Sequence, residues 1–351
     1  MTRFAWLQSR TQTLVVAVIL GALAIAATIT GIHLASLYSS HVVRCETGCD
    51  LAINDFLHND TFLQHAFDIL SVAVPALLGI FWGAPLIARE FEAGTYRLAW
   101  TQSVTRARWL TMKLATGAAI TTVIAGGLTL AITWWYRDLD AVGSNQFDLF
   151  ERRDIVPIAY ALFAFAAGAL IGMVIRRVLP AMAGTLAMYA GARIVVTTWI
   201  RPHLLPPLHK TVSLLTADGF GFVSYNGSPV TLVAKGFAGP NTWTLSTQFL
   251  TSNGHVASSS QLSAFVQQHC AAIANPPPVT PPINQPVKAP DGAIAAFHAC
   301  REQAASTFHL LVTYQPANRY WPLQWLEAGV FVALAALAVA GCYWWISRRA
   351  R

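Results

Sequence analysis

Long apolar runs, rather than alternating or amphipathic patterns, dominate this chain. An α-helix needs about 20 apolar residues to cross the roughly 30 Å hydrocarbon core of a bilayer, and six runs reach that length. They comprise residues 14–38, 66–88, 114–136, 155–175, 180–200 and 323–346. The pattern therefore predicts an all-α polytopic membrane protein with six transmembrane helices, in which the first run is a retained anchor rather than a cleaved signal peptide.

The basic residues between these runs are distributed unevenly. If the amino terminus is cytoplasmic, the cytoplasmic pieces carry 12 Lys and Arg residues against two acids, Glu90 and Glu92, whereas the other side carries ten against 14. Short cytoplasmic loops of membrane proteins are enriched in Lys and Arg. The charges thus predict a cytoplasmic segment at residues 1–13, helices one to five over 14–200, and helix six with a basic cytoplasmic tail over 323–351.

Composition agrees with a membrane location. Of the 351 residues, 55% are hydrophobic and 11% are charged, whereas about a quarter is charged in a typical soluble domain. The net charge of +7 resolves into a basic inner face and a mildly acidic outer face. The net charge therefore follows from the orientation of the helices in the membrane, and it predicts no nucleic-acid partner.

Residues 201–322 form a long hydrophilic segment between the fifth and sixth runs, and we expect a small mixed α/β extracytoplasmic domain there. Segments rich in β-formers at 220–225, 230–235 and 243–250 predict strands or hairpins. Segments 260–274 and 292–306 have helical apolar spacing, and the proline-rich sequence between them is expected to be extended.

Four cysteines lie in the outer segments, where disulfides persist. Proximity along the chain favours two pairs, Cys45 with Cys49 and Cys270 with Cys300. Four cysteines allow three pairings, so the connectivity stays open at this point. A metal site that uses the neighbouring His269 and His298 is a less favoured alternative.

Sequence motifs for nucleotide binding or hydrolysis are absent: the chain contains no G-x-x-x-x-G-K-[ST], H-E-x-x-H or G-x-S-x-G. The sequence thus predicts no enzyme activity and no cofactor in this chain. The most unusual cytoplasmic segment is the amphipathic loop 89–113, which carries the only two inner acids. Its arginines could simply lie on lipid head groups, but that explanation does not account for Glu90, Glu92 and the Gly94–Thr95 pair.

The loop also carries a recognisable pattern: an arginine at the end of an apolar span, then E-x-E-x-G-T, S-x-x-R and a lysine where the next span begins. The matching residues are Glu90, Glu92, Gly94, Thr95, Ser103, Arg106 and Lys113. This pattern resembles that of type-two ABC transporter permeases, and residues 314–327 are similar to the segment before the last span in the actinobacterial branch of that family.

The resemblance implies a permease subunit in a bacterial plasma membrane. A separate ABC ATPase subunit would bind ATP and Mg, and the loop, including Phe91 and Arg97, would be the coupling helix that contacts it. Six spans are half of the usual transmembrane unit, so a permease homodimer surrounded by membrane lipid is implied. The expected function is export of an amphipathic or lipid-like compound, such as a drug or natural product. Alternatives are a non-transporting mechanotransmission module or, less favoured, a membrane-embedded enzyme.

Arg193 is a charge inside the fifth run, and intramembrane charges often mark functional sites. Tyr189 and Thr197 share its helical face at four-residue spacing, Asp68 is a candidate ion-pair partner, and Trp82 is a candidate wall of a substrate path. Snorkelling of Arg193 to the interface is the alternative.

Two G-x-x-x-G motifs occur in the spans, at Gly79 and Gly83 and at Gly168 and Gly172. Such motifs let helices approach closely. The contact could be within one subunit or between two.

Overall fold

The computed structural model describes residues 21, 25–45, 49, 53, 56, 61–94, 105–142, 145–224, 229–274 and 292–349. The chain divides into two compact units. Met1–Leu205 with Tyr320–Arg351 is called the membrane unit below, and Pro206–Arg319 is called the insert unit.

Long helices make up the described part of the membrane unit. They are α1 (25–37), α2 (Thr61–Glu92), α3 (Arg106–Ala141), α4 (Val156–Ile175), α5 (Val178–His203) and α8 (Tyr320–Arg349). Within the described residues, five helices are long and apolar enough to cross a membrane, and they correspond to the second to sixth predicted spans. The first predicted span lies partly outside the described residues, so a total of six stays a prediction.

Helix α2 is irregular at its middle. Pro75 lies inside the helix, and the hydrogen bonding then switches to a π-helical pattern over Leu78–Gly83. Proline has no N–H to donate, so the α-helical hydrogen bonding is interrupted there, and π-helical turns are another recognised cause of helix irregularity. The helix recovers α geometry at Ala84 and ends at Glu92.

Helix α4 forms the centre of the membrane unit and packs against α2, α3, α5 and α8. It is apolar around its whole circumference, as expected for a helix that is surrounded by other helices. Phe165 and Met173 are among its fully buried side chains. Its neighbours therefore take their positions from this helix.

The two G-x-x-x-G motifs contact each other within one chain. A Cβ atom on Gly79 would lie 2.7 Å from the carbonyl oxygen of Ala164, and one on Gly168 would lie 2.6 Å from the carbonyl oxygen of Gly79. Backbones this close leave no space for a side chain. The two G-x-x-x-G motifs therefore pack α2 against α4 within one subunit rather than joining two subunits.

The insert unit contains two antiparallel sheets and two principal helices. Strands β1 (Leu208–Ser213), β4 (Trp243–Thr251) and β5 (Phe308–Gln315) form one sheet in the order β1-β5-β4, and β2 (Asp218–Val223) pairs with β3 (Thr231–Lys235). The helices are α6 (Ser259–His269), followed by a short turn Ala271–Ala274, and α7 (Ala293–Thr307). Strands β2 to β4 and both helices coincide with sequence-based expectations, whereas β1 and β5 were not predicted.

Both expected cysteine pairs are at disulfide distance. The Cα atoms of Cys45 and Cys49 are 5.6 Å apart, and those of Cys270 and Cys300 are 5.4 Å apart. Cys270 and Cys300 lie in the hydrophobic core of the insert unit and join the end of α6 to the middle of α7. Their sulfurs contact each other, which removes the thiolate ligands that the metal alternative requires.

Candidate functional site

Loop 89–113, which the charge pattern predicts to be cytoplasmic and which is called the inner loop below, is described at 89–94 and 105–113. Thr95, Arg97 and Ser103 therefore lie outside the described residues. Helix α2 ends at Glu92, and Gly94 follows in the left-handed region with a φ of +70°. Glycine adopts this conformation without steric cost. Helix α3 begins at Arg106 after Thr105, whose side chain accepts a hydrogen bond from the amide of Arg108.

Glu90 forms an ion pair with Lys113 and thereby joins the end of α2 to α3. Lys113 also lies 5.2 Å from the ring centroid of Trp109, and its Nζ atom is 3.5 Å from the carbonyl oxygen of Leu86. The side chain of Lys113 is 22% exposed and that of Glu90 is 16% exposed. Such partial burial makes the pair stronger than a freely solvated surface pair.

Glu92 connects α2 to the turn between α4 and α5. Its Oε2 atom accepts a hydrogen bond of 3.0 Å from the backbone N–H of Val178, which is the first residue of α5. A carboxylate is favourable at this position because helix N-termini carry unpaired amide donors. In the same turn Arg176 has a φ of 61°, and its guanidinium lies 5.3 Å from the ring centroid of Phe91.

Both inner acids are therefore engaged with other elements of the same chain. The end of α2 is linked to α3 through Glu90 and to α5 through Glu92. A displacement of this end would act on three helices together. The lipid-surface explanation of the loop does not account for these contacts.

At the opposite end of the membrane unit, polar side chains form what we call the buried ionic cluster: Glu151, Tyr160, Arg193, Arg201 and Glu327. Arg201 Nε donates to Glu327 Oε2 at 2.5 Å, and its Nη2 donates to Glu327 Oε1 at 2.7 Å. Glu327 is fully buried and Arg201 is 8% exposed. This two-point arginine–carboxylate contact joins the last turn of α5 to α8.

The remaining contacts of the cluster bring in the segment before α4 and α4 itself. Glu151 forms ion pairs with both Arg193 and Arg201, the latter at 2.5 Å. The Tyr160 hydroxyl donates to Glu327, and the guanidinium of Arg193 lies 3.8 Å from the Tyr160 ring centroid. The positive charges of the two arginines cancel the negative charges of the two glutamates, so the cluster is electrically neutral.

A second layer of contacts anchors the segment before α4. Arg153 pairs with Asp140 at the end of α3, and Tyr320 Oη donates to Asp154 at 2.5 Å. Gln324 Nε2 donates to the carbonyl of Phe150 at 2.8 Å. Burial is the largest single effect on the Arg153 pKa and lowers it, but the hydrogen bonds and charges of Asp140 and Tyr320 together outweigh burial and raise the Arg153 pKa above the ordinary arginine value.

The suggested pairing of Asp68 with Arg193 is wrong. Asp68 pairs with Arg152 at 2.7 Å, and Arg193 pairs with Glu151. Distances between loop charges and span charges cannot be read from sequence, and Glu151 reaches Arg193 because the segment before α4 contacts α2, α5 and α8.

The predicted path residues do not form one site. Tyr189 is buried beside Arg193, and its hydroxyl has no hydrogen-bond partner other than Arg193 among the described residues. Thr197 donates to the backbone carbonyl of Ile194 at 3.4 Å. Trp82 packs with the hydrophobic cluster that contains Ile87 at the other end of the unit.

Sequence reasoning missed Glu151, Arg201 and Glu327. A signal for the last one was present, because Tyr320, Gln324 and Glu327 recur at spacings of four and three residues and so share one face of α8.

Comparison with known proteins gives one match. The family model described as "ABC-2 membrane transporter related" matches residues 14–201. No curated protein and no solved structure matches the chain. The matched region contains the inner loop and Arg193, and it ends at Arg201.

Proposed function

Because this chain belongs to the ABC-2 membrane transporter related family, whose model covers more than half of it, we propose that it is the permease subunit of an ATP-driven exporter. Membership of the family implies a transport permease that assembles with an ABC ATPase. We further propose that transport is outward across a bacterial plasma membrane, and that the cargo is an amphipathic or lipid-like compound.

The observation that carries the coupling role is the double attachment of the α2 end. Glu90 holds Lys113 of α3, and Glu92 accepts from the first amide of α5. An ATPase subunit that binds ATP and Mg and pulls on loop 89–113 would therefore move α3 and α5 with α2. Thr95, Arg97 and Ser103 of the same loop are proposed to face that subunit.

Tyr189 and Arg193 support a polar binding position for the cargo on the export path. Both lie on α5 at four-residue spacing and interact with each other, and the buried atoms Tyr189 Oη and Arg193 Nη1 have no further hydrogen-bond partner among the described residues. A buried unpaired donor favours a ligand that brings an acceptor. An amphipathic cargo with a phosphate, carboxylate or carbonyl group fits this requirement.

The test uses Glu90→Gln and Glu92→Gln, singly and together, in the full-length chain purified with its ATPase. Arg137→Gln is the matched control, because it removes a charge from a largely exposed side chain elsewhere in the membrane unit. We expect the double variant to assemble with the ATPase but to lose stimulation of ATP hydrolysis and transport into inverted vesicles. Normal transport by the double variant would show that coupling does not pass through these acids.

The insert unit favours a second candidate, a mechanotransmission module. It has its own hydrophobic core, closed by the Cys270–Cys300 pair, and such a body could pass a displacement to an envelope protein. Transport assays separate the two functions. ATPase stimulation without cargo movement, over a panel of amphipathic compounds, would favour mechanotransmission.

Assembly as a homodimer is part of the proposal, since the five described candidate spans and the predicted first one make half of a standard ABC transmembrane unit. Mass measurement of the purified complex tests it. Two identical permease chains with two ATPase chains are expected, and one copy beside a different permease would refute it.

A further inference from the structure

An open cleft of about 610 Å³ lies between the first turn of α3 and the last turns of α8. It is lined by Arg106, Ala107, Tyr343, Trp344, Ile346 and Ser347. Beside it, Thr111 Oγ1 and Tyr343 Oη are 2.7 Å apart and hydrogen-bond the same two helices together. The charge pattern predicts that this end of the membrane unit meets the cytoplasmic head groups.

The lining of the cleft is amphipathic. Arg106 supplies a cationic side chain, and the guanidinium of Arg348 lies 5.3 Å from the ring centroid of Trp344. Trp344 is 52% exposed and Ala107 is exposed beside it, whereas Ile346 forms the floor of the cleft and is itself buried in the hydrophobic core. Exposed tryptophan beside arginine is typical of protein surface at the level of lipid head groups.

The charge balance at this end favours an anionic ligand. Within the described residues this end carries seven basic side chains and two acids: Arg89, Arg106, Arg108, Lys113, Arg176, Arg177 and Arg348, with Glu90 and Glu92. Glu90 is paired with Lys113, and Glu92 accepts from the amide of Val178. Both acids are therefore engaged with other groups, and seven basic side chains against two acids leave an excess of five positive charges at this end within the described residues.

We propose that this cleft binds the head group of an anionic phospholipid. The phosphate would face Arg106 and Arg348, because guanidinium groups match phosphate oxygens in geometry and charge. The acyl chains would continue along the exposed apolar surface that begins at Trp344. A free phosphate would use only the arginines, whereas a lipid uses both the cationic and the apolar parts of the lining, and basic pockets between transmembrane helices commonly hold anionic lipids. The site does not depend on the proposed coupling role.

The test measures lipid binding by the full-length chain, purified in detergent and stripped of lipid, by native mass spectrometry with phosphatidylglycerol or phosphatidylcholine. The variant is Arg106→Gln/Arg348→Gln. The matched control, Arg44→Gln/Arg137→Gln, removes the same charge from exposed arginines at the opposite end. A basic residue near an anionic head group contributes about a factor of five, so the variant should bind phosphatidylglycerol about thirtyfold more weakly, and the control should bind normally.

Several outcomes would overturn the proposal. They are equal wild-type affinity for the two lipids, an unchanged affinity in the cleft variant, or displacement of phosphatidylglycerol by inorganic phosphate at matched concentration. Loss of ATPase binding in the cleft variant with unchanged lipid binding would assign the cleft to protein docking instead. If the variant does not fold, Arg106→Lys/Arg348→Lys and the wild-type competition with inorganic phosphate decide the question.

Discussion

Removal of one charge from the buried ionic cluster is expected to destabilise the membrane unit strongly. Glu327→Gln keeps the shape of the side chain but removes its negative charge. Arg193, Arg201 and Glu151 then carry a net charge of +1 in a buried site. Loss of one partner from a buried ion pair costs about 3–5 kcal/mol. Arg201 retains its 2.5 Å contact with Glu151, and glutamine still offers one acceptor oxygen, so about 3 kcal/mol is expected.

The double variant Arg201→Gln/Glu327→Gln supplies the decisive comparison. It restores neutrality, because Arg193 and Glu151 remain as a pair. It should therefore be more stable than the sum of the single costs predicts, by about 2 kcal/mol, within the range measured for residues that share one network. Arg137→Gln is the control, since the exposed pair with Asp138 contributes less than about 1 kcal/mol.

Chemical unfolding of the full-length chain in mixed micelles, followed by tryptophan fluorescence, gives the four free energies that this double-mutant cycle needs. Additive single costs would show that Arg201 and Glu327 do not interact energetically. A Glu327→Gln variant within 1 kcal/mol of the wild type would refute the view that this carboxylate is a buried, charge-balancing group.

Three further predictions concern the covalent and backbone features of the chain. Replacement of Cys270 and Cys300 by alanine should destabilise the insert unit by about 3.6 kcal/mol, because the pair closes a loop with a sequence separation of 30, and faster proteolysis of that unit would report it. Gly168→Ala should lower the melting temperature of the full chain, since a Cβ would lie 2.6 Å from a carbonyl oxygen of α2, whereas Gly127→Ala, with nothing within 4 Å, should leave it unchanged or raise it by better helix propensity. Gly94→Ala forces alanine to a φ of +70° and should cost about 1–2 kcal/mol, read as faster hydrogen exchange at the end of α2 with no change elsewhere.

Local patterns in the sequence predicted local structure well. The apolar runs correspond to α2 to α5 and α8, and the hairpin β2–β3 follows from β-formers separated by a turn-rich segment. Strands β1 and β5 were missed because their pairing is not local: Leu208 lies opposite Tyr314, at the two ends of the insert unit. No pattern within either segment specifies such a partner.

Electrostatic partners were harder to predict than helices. Glu327 is one of the 14 acids that the charge count places on the outer side, since it lies near the start of the sixth run, and an acid at a span end is ordinarily solvated. Its complete burial depends on α4, whose Tyr160 hydroxyl donates to it, and on Arg201, which lies 126 residues earlier in the chain. Distances between spans are set by packing, and the glycine contacts between α2 and α4 that set them are visible only in three dimensions.

Helix α5 connects the two candidate sites. Its first residue donates to Glu92 at the inner end, and Arg193 and Arg201 enter the ionic cluster at the other end. Only 17% of its apolar window is buried within the chain, against 72% for α4, which is held to α2 by backbone contact. Helix α5 thus has a larger apolar face outside the chain's own core than α4 has, and its polar end contacts add to its packing against α2 and α4. For the proposed exporter, this distribution of contacts favours α5 over α4 as the helix that carries a displacement of the inner loop to the cluster at the opposite end.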